Sequence, residues 1–483
     1  MRPFQSTTDP QVASFLQQVS RWPLALRLLH QRVASSFARA EPRRHAWLYL
    51  QAILSDIPRK NGWQIAEHAR ELHPYGIQRL LSRAVWDQDA VRDELRTLVC
   101  QTLHPPAVGP TPAAPDALFP VLVIDESGFP KRGCHSAGVA PQYCGISGRV
   151  ENCQVGVFLS YVTDLGHALI DRELYMPEDW CQDLPRRQAA HIPDSLTFAT
   201  KPELALHMVQ RAQAARLPFR WAVADTVYGH CSELRDWLEQ HGDAYALAVP
   251  STEVVAVQTR TGLLFSDVAS IAQQALRAHD WQRLSCSQGT KGPRLFDWAR
   301  LPVLHRGVVD GRHWLVVRRC LDEPHELAYY LVWAPPDTPL SLIVQAIGAR
   351  WHIEEDIETT KDLGLDQFEV RSYLGWYRHI TLVLLAAAFL LALCVQANAP
   401  PPPPPAPAAE PELHSAPLAP PAPPCIPLTC SEVRHLLARL CWPAPTSSSL
   451  VCHWSMWRRT HQYWAGYYHR RRRAKATSSL LAS

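Results

Sequence analysis

RWHIEEDIETTK, from Arg350 to Lys361, is the stretch on which the reading of this chain turns. No Gly or Pro interrupts it, and its apolar residues recur at helical spacing. Arg350, Glu354 and Lys361 stand at i, i+4 and i+11. At about 100° per residue the three fall within roughly 40° of one helix face. One carboxylate flanked by two cations suits a site that holds a metal ion and a phosphate together, because the acid binds the cation and the bases bind the anion. It equally suits an exposed helix laced with i,i+4 charge pairs. The stretch leaves both readings open, and the rest of the chain chooses between them.

The 483 residues suffice for two to four domains. Apolar content is 47% and charged content 19%, a globular balance, and a net charge of +3 says little about partners. Thirteen cysteines form no CxxC pair and no Cys/His block at zinc spacing. MRPFQSTTDP at the N-terminus has no apolar signal core. A reduced, cytoplasmic protein is expected.

Residues 1–104 read as a helical N-terminal domain: VASFLQQVSRW, LALRLLHQRVASSFARA, HAWLYLQAIL and IQRLLSRAVW carry apolar residues three and four apart. Between them Arg59-Lys60-Asn61-Gly62-Trp63 is a basic turn. It fits either a DNA contact or a plain surface turn of a helical bundle. Residues 105–116 are a Pro/Ala linker.

The period then changes. Ala117 to Asp125, ALFPVLVID, is a short apolar run of the buried-strand kind ending in an acid. Cys153 to Thr163 and His167 to Tyr175 follow as strands around the turn Asp164-Leu165-Gly166, so an antiparallel meander is expected. Pro202 to Leu217 reads as a helix, and FRWAVAD as another strand, ending in Asp225. Two acids thus terminate buried strands, where the strand fixes them and the open end leaves room for chemistry, although turn-starting aspartates are also common there. With Glu354 on a later helix, three carboxylates meet the needs of a two-metal phosphoryl-transfer site. Hard Mg²⁺ takes oxygen ligands, and two such ions serve the attacking and leaving oxygens. The element order is that of a ribonuclease-H-like α/β core.

The chain resembles the DDE-type insertion-sequence transposases, of the group with a Tyr-Arg-Glu-Lys signature on the last catalytic helix. The matching residues are Asp125 in VIDESGFPK, Asp225 in ADTVYG, and Arg350, Glu354 and Lys361, whose spacing is that of the signature. SAGVAPQYCG (Ser136 to Gly145), ENCQVGVFLSY (Glu151 to Tyr161), GLDQFEVRSYLGWYRHITL (Gly364 to Leu382) and KNGWQIAE (Lys60 to Glu67) support it. Ile347 stands where the signature has Tyr. The resemblance implies a catalytic domain over 117–398 with a β-rich insertion at about 250–342. In related enzymes that insertion shields the site and can stack a flipped base. Trp298 and Trp281 are the candidates here, although buried tryptophans of a small sheet fit the same pattern.

Ile380 to Val395 is a sixteen-residue run without charge, shorter than the usual span, and is expected as a core helix rather than a membrane segment. Thirteen of the 42 prolines lie between Pro400 and Pro424, so 399–424 reads as a semi-rigid linker. The tail, 425–483, has nine Lys/Arg against the single acid Glu432. It carries Trp454, Trp457, Tyr463 and Trp464 before Arg470, Arg471, Arg472 and Arg473, a pattern that suits contact with nucleic-acid backbone.

The expected activity is metal-dependent cleavage of double-stranded DNA at the terminal inverted repeats of a mobile element, followed by strand transfer into target DNA. Asp125, Asp225 and Glu354 would hold two Mg²⁺, or Mn²⁺ in their place. Arg350, Lys361, Lys60 and Arg470 to Arg473 would bind DNA. Self-association in a synaptic complex, no membrane partner, and a bacterial cytoplasmic location on the nucleoid complete the expectation. A hydrolytic nuclease on the same fold and a non-catalytic DNA-binding descendant are the alternatives.

Overall fold

A computed structural model describes residues 10–104, 120–260, 262–289, 292–322, 326–399, 427–442 and 448–480. The expected linkers at 105–116 and 399–424 fall almost wholly outside the described residues. Six α-helices come first among those described: α1 (Pro10–Val19), α2 (Trp22–Arg32), α3 (Ala40–Ile53), α4 (Gly62–His68), α5 (Tyr75–Ser82) and α6 (Gln88–Leu103). The turn before α4 is a helix cap, in which the Asn61 side chain accepts the Trp63 and Gln64 amides.

A meander follows: β1 (Val121–Pro130), β2 (Ala140–Cys144), β3 (Arg149–Thr163) and β4 (Gly166–Tyr175). All of its pairings are antiparallel. β3 is long enough for β1 to cover one edge while β2 and β4 share the other. Helices α7 (Glu178–Gln182), α8 (Leu184–Ala189) and α9 (Lys201–Ala214) lead to β5 (Trp221–Ala224). Then come α10 (Thr226–Gly229), α11 (Ser232–His241) and β6 (Ala244–Val249). Here the sheet turns parallel, with β5 beside β1 and β6 beside β5. The strands Trp221–Ala224 and Val121–Ile124 are wholly buried and apolar, as a sheet covered on both faces requires.

The β-rich part holds a hairpin, β7 (Val254–Thr259) with β8 (Gly262–Asp267), then α12 (Val268–Ala275), and β9 (Gln282–Gly289), β10 (Gly292–Pro302), β11 (His313–Arg319) and β12 (Leu327–Trp333). β12 pairs with β6, so β12, β11, β10 and β9 extend the main sheet to ten strands and do not form a sheet of their own. Among the described strands, the β7–β8 hairpin alone stands apart. It closes a second apolar core, in which Val257, Ile271, Leu315 and Val317 meet.

Helices α13 (Leu340–Gly348), α14 (Trp351–Asp362) and α15 (Tyr373–Asn398) return across the sheet. α15, started by a Ser372 cap, is the described helix long and apolar enough to cross a membrane, yet it is buried along most of its length. It lies between the sheet and the N-terminal helices, which share its core. Tyr49 on α3 shares a 2.7 Å hydrogen bond with His379, and Arg172 of β4 donates to Thr381 at 2.9 Å and to Asp89 of α6 at 3.0 Å. The N-terminal helices are thus fastened to the sheet's helical layer through buried polar bonds. Last come α16 (Cys430–Leu436) and α17 (Ser448–Leu480). α17 docks on α4 through fully buried Trp454, the Trp63–Trp457 edge contact and a 2.6 Å Arg458–Glu67 ion pair. Trp454 and Trp457 of the tail therefore serve packing.

Candidate active site

The parallel pairing of β1 with β5 stops at Ile124 and Ala224, and the next residues are Asp125 and Asp225. Asp125 is not at a strand end, contrary to the sequence reading. β1 runs on to Pro130 against β3, with Asp125 opposite Phe158. It is β5 that stops, because Asp225 turns the chain into α10 by accepting the Val227 amide at 3.0 Å. Gly229 lets that turn lie against β6, since a side chain there would drive into the Ala248 carbonyl. The two carboxylates emerge side by side where one strand leaves its neighbour.

Burial raises the Asp125 pKa, and the Asp225 charge raises it further, up to about 7. Arg350 and the Glu126 amide, which donates to Asp125 at 2.7 Å, offset part of the rise. Asp225 is likewise raised, by burial first and then by Glu126.

Arg350, at the cap of α14, brings the third acid in. Its Nη1 donates to Asp125 at 3.3 Å and its Nη2 to Glu354 at 3.0 Å. The other acids of α14 face elsewhere. Glu355 lies 2.8 Å from His352 and 3.4 Å from His167, Asp356 is buried against His167 and Ser160, and Glu358 is exposed. Hard oxygen donors with crowded like charges fit a divalent cation, which would lower the cost of ionising both aspartates.

Three residues that the sequence reading passes over line the same place. Glu126 accepts from Lys201 at 2.6 Å and from Tyr228 at 2.6 Å. Tyr228 is fully buried, and burial followed by the Glu126 charge holds its hydroxyl protonated. The signal is present in DES and DTVYG, but nothing in either motif tells which neighbour faces inward. Trp351, beside Arg350, is 42% exposed, with the Arg294 guanidinium 4.3 Å above its ring.

Other expected site residues lie elsewhere. Lys361 is half-buried near the end of α14, where burial lowers its pKa and Asp366, Cys144 and Glu358 are its neighbours. Lys60 is a correction. It is 3% exposed, its Nζ donates to the Ser55 and Ile57 carbonyls at 2.7 and 2.9 Å, and its stem covers Gly364. A buried, carbonyl-bound ammonium is not a surface DNA contact. Trp298 is a second correction: it is fully buried beside Tyr330, so no base can stack on it. Trp281 is half-buried under the Arg319 guanidinium, 4.2 Å from its ring. Arg470, Arg471 and Arg472 are exposed on α17, and the Arg473 side chain is outside those described. Ile347 is buried in the core.

A model of the DDE superfamily endonuclease family matches residues 32–293, more than half of the chain. The chain belongs to that family. Its likeness is to insertion-sequence transposases: it is 24% identical over 342 residues to the probable transposase for insertion sequence element IS701 of Microchaete diplosiphon, covering 68% of this chain and 77% of that one. The family match includes Asp125 and Asp225 and ends before Glu354. Among solved structures, the NurA nuclease from Sulfolobus solfataricus aligns with 54% of this chain and 79% of its own, at 9% identity. The TM-score is 0.21.

Proposed function

We propose that this chain is a transposase that cuts double-stranded DNA at the terminal inverted repeats of its element and joins the freed 3′ hydroxyl to target DNA. The observation that carries the reading is the Arg350 bridge, which draws Glu354 to Asp125 beside Asp225. The strand order β4–β3–β1–β5–β6, three antiparallel then two parallel, supports a ribonuclease-H-like core. We assign its extent as 117–398, with the N-terminal helices and the basic tail as flanking DNA-binding parts.

Asp125, Asp225 and Glu354 would hold Mg²⁺, or Mn²⁺. When bound, such ions lower the pKa of the attacking water or hydroxyl and offset charge on the leaving oxygen. Arg350 balances the acids and lies where it can meet a scissile phosphate. Tyr228 and Lys201 fix the Glu126 carboxylate where its charge reaches both aspartates. Trp351 and Arg294 offer an aromatic and cationic surface to DNA next to Arg350. Synaptic self-association and a place on the bacterial nucleoid follow from the same reading.

The test is an oligonucleotide assay with element-end DNA in Mg²⁺, with and without chelator. Wild type should nick the end and transfer the 3′-ended strand to target, and Asp125→Asn should still bind DNA but not cut it. Cutting by Asp125→Asn would overturn the site, and cutting without transfer would leave a hydrolytic nuclease.

A further inference from the structure

We propose that Glu239, His305 and His313 form a binding site for a zinc-class divalent ion that staples the outer strands of the sheet to α11. Glu239 lies near the end of α11, His313 opens β11, and His305 lies in the turn between β10 and β11. Their ligand atoms all lie within 4.8 Å of one another. His313 Nε2 faces the Glu239 carboxylate at 3.1 Å.

The arrangement around them is that of a held ligand set. His313 Nδ1 is hydrogen-bonded to Asp310 at 2.8 Å. Asp310 is itself fixed by the Arg312 and His313 amides at 2.9 and 3.1 Å. A carboxylate behind a histidine in this way orients the ring and makes the far nitrogen a better donor. Tyr245 donates to Glu239 at 2.8 Å and steadies the second ligand. The His305 and His313 rings stack at 4.1 Å with 2° between planes. Parallel rings aim their in-plane lone pairs side by side, so binding turns the His305 ring about its side-chain bonds to bring its nitrogen onto the ion that His313 and Glu239 face. A cavity of about 320 Å³ is lined by all three residues and gives an ion its way in. Two imidazoles and one carboxylate with an open position favour Zn²⁺ over Mg²⁺, which prefers oxygen alone.

The competing state has no ion. Burial works against a proton on His313, but Glu239 and Asp310 outweigh it and raise its pKa. A zinc titration separates the two states. The full-length protein is stripped with chelator, held in excess Mg²⁺, loaded with Zn²⁺, and its zinc content measured after gel filtration. Zn²⁺ captured by the DDE acids, or by the His167–His352–Glu355 cluster on the face of α14 away from Glu354, is common to every variant, so the difference counts the proposed site. Wild type should retain one zinc per chain more than His305→Ala and Glu239→Gln. Its Tm should rise with Zn²⁺ where theirs does not, and Asp310→Asn should weaken binding by about 10- to 100-fold. His305→Ala alters a half-buried turn residue, so it carries the test if Glu239→Gln does not fold. Equal zinc content in wild type and His305→Ala overturns the proposal, whether or not the protein cuts DNA.

Discussion

The Arg350 guanidinium donates to the Asp125 carboxylate at 3.3 Å while its other arm holds Glu354 at 3.0 Å, joining the α14 acid to the sheet. Only a planar fork spans two carboxylates in this way. Arg350→Lys keeps the charge and loses one arm. Cleavage of element-end DNA in Mg²⁺ should fall by about 10²- to 10³-fold, the size seen when one preorganised donor is removed. An unchanged single-turnover rate would detach Arg350 from the chemistry.

Asp125 should make the metal-free protein less stable as pH rises. Its folded pKa is about 7, against an ordinary aspartate value of 3.8. Between those values the native state binds more protons than the unfolded state, so stability falls as pH climbs through the window. Asp125→Asn removes the penalty and should stabilise the chelated protein at pH 7.5 by on the order of 4 kcal/mol, with little effect at pH 4. Thermal melts in chelator at the two pH values measure it. A variant less stable than wild type at pH 7.5 would contradict the assignment.

Glu354 and Glu355 are neighbours with opposite duties. Glu354 meets Arg350, whereas Glu355 holds His352 and His167 and is kept acidic, at about 2, first by the His167 hydrogen bond. Glu354→Gln should abolish cleavage. Glu355→Gln should retain most of it and lower Tm instead, by a loss of about 1–3 kcal/mol for a broken charged network. The reverse ranking in a cleavage assay would move the third ligand to Glu355.

How far the sequence revealed this can be followed residue by residue. Asp125, Asp225 and the strands bearing them were legible because a fully buried strand is written as an unbroken apolar run. Helical spacing paired Glu354 with Arg350 on α14, as their 3.0 Å contact has it, but it also grouped Lys361 with them, and Lys361 lies instead by Asp366, Cys144 and Glu358. That Asp125 lies within β1 was not legible, since it depends on where β5 stops, and strand pairing is a long-range fact. Lys60 misled because a basic turn looks the same whether its lysine faces water or two carbonyls. Trp298 misled because burial in a sheet depends on which strands neighbour it. Gln282 to Trp333 does not announce that it will extend the main sheet by pairing β12 with β6.

The two sets of basic residues should separate by salt dependence. Arg470→Ala, Arg471→Ala and Arg472→Ala combined should flatten the slope of log affinity against log salt by about one for each phosphate no longer neutralised. Lys60→Ala should leave that slope unchanged and lower Tm, because it empties a buried site and frees two carbonyls. Fluorescence anisotropy with duplex DNA at several salt concentrations distinguishes them. A Lys60→Ala slope as flat as the arginine triple would restore Lys60 to the DNA surface.

Trp351, rather than Trp298, should be the tryptophan that meets DNA. Trp298 is fully enclosed in the sheet core, so Trp298→Ala should cost about 3–5 kcal/mol and yield a protein that melts early or does not accumulate. Trp351 is exposed beside Arg350 and under Arg294. Trp351→Ala should leave Tm near wild type and weaken binding to element-end DNA by about 1–3 kcal/mol, the worth of one stacked base. Substituting Phe at Trp351 should recover most of that binding, because stacking needs an aromatic face and no particular hydrogen bond. If Trp351→Ala binds as tightly as wild type, no base stacks there and the aromatic surface beside Arg350 is a bystander.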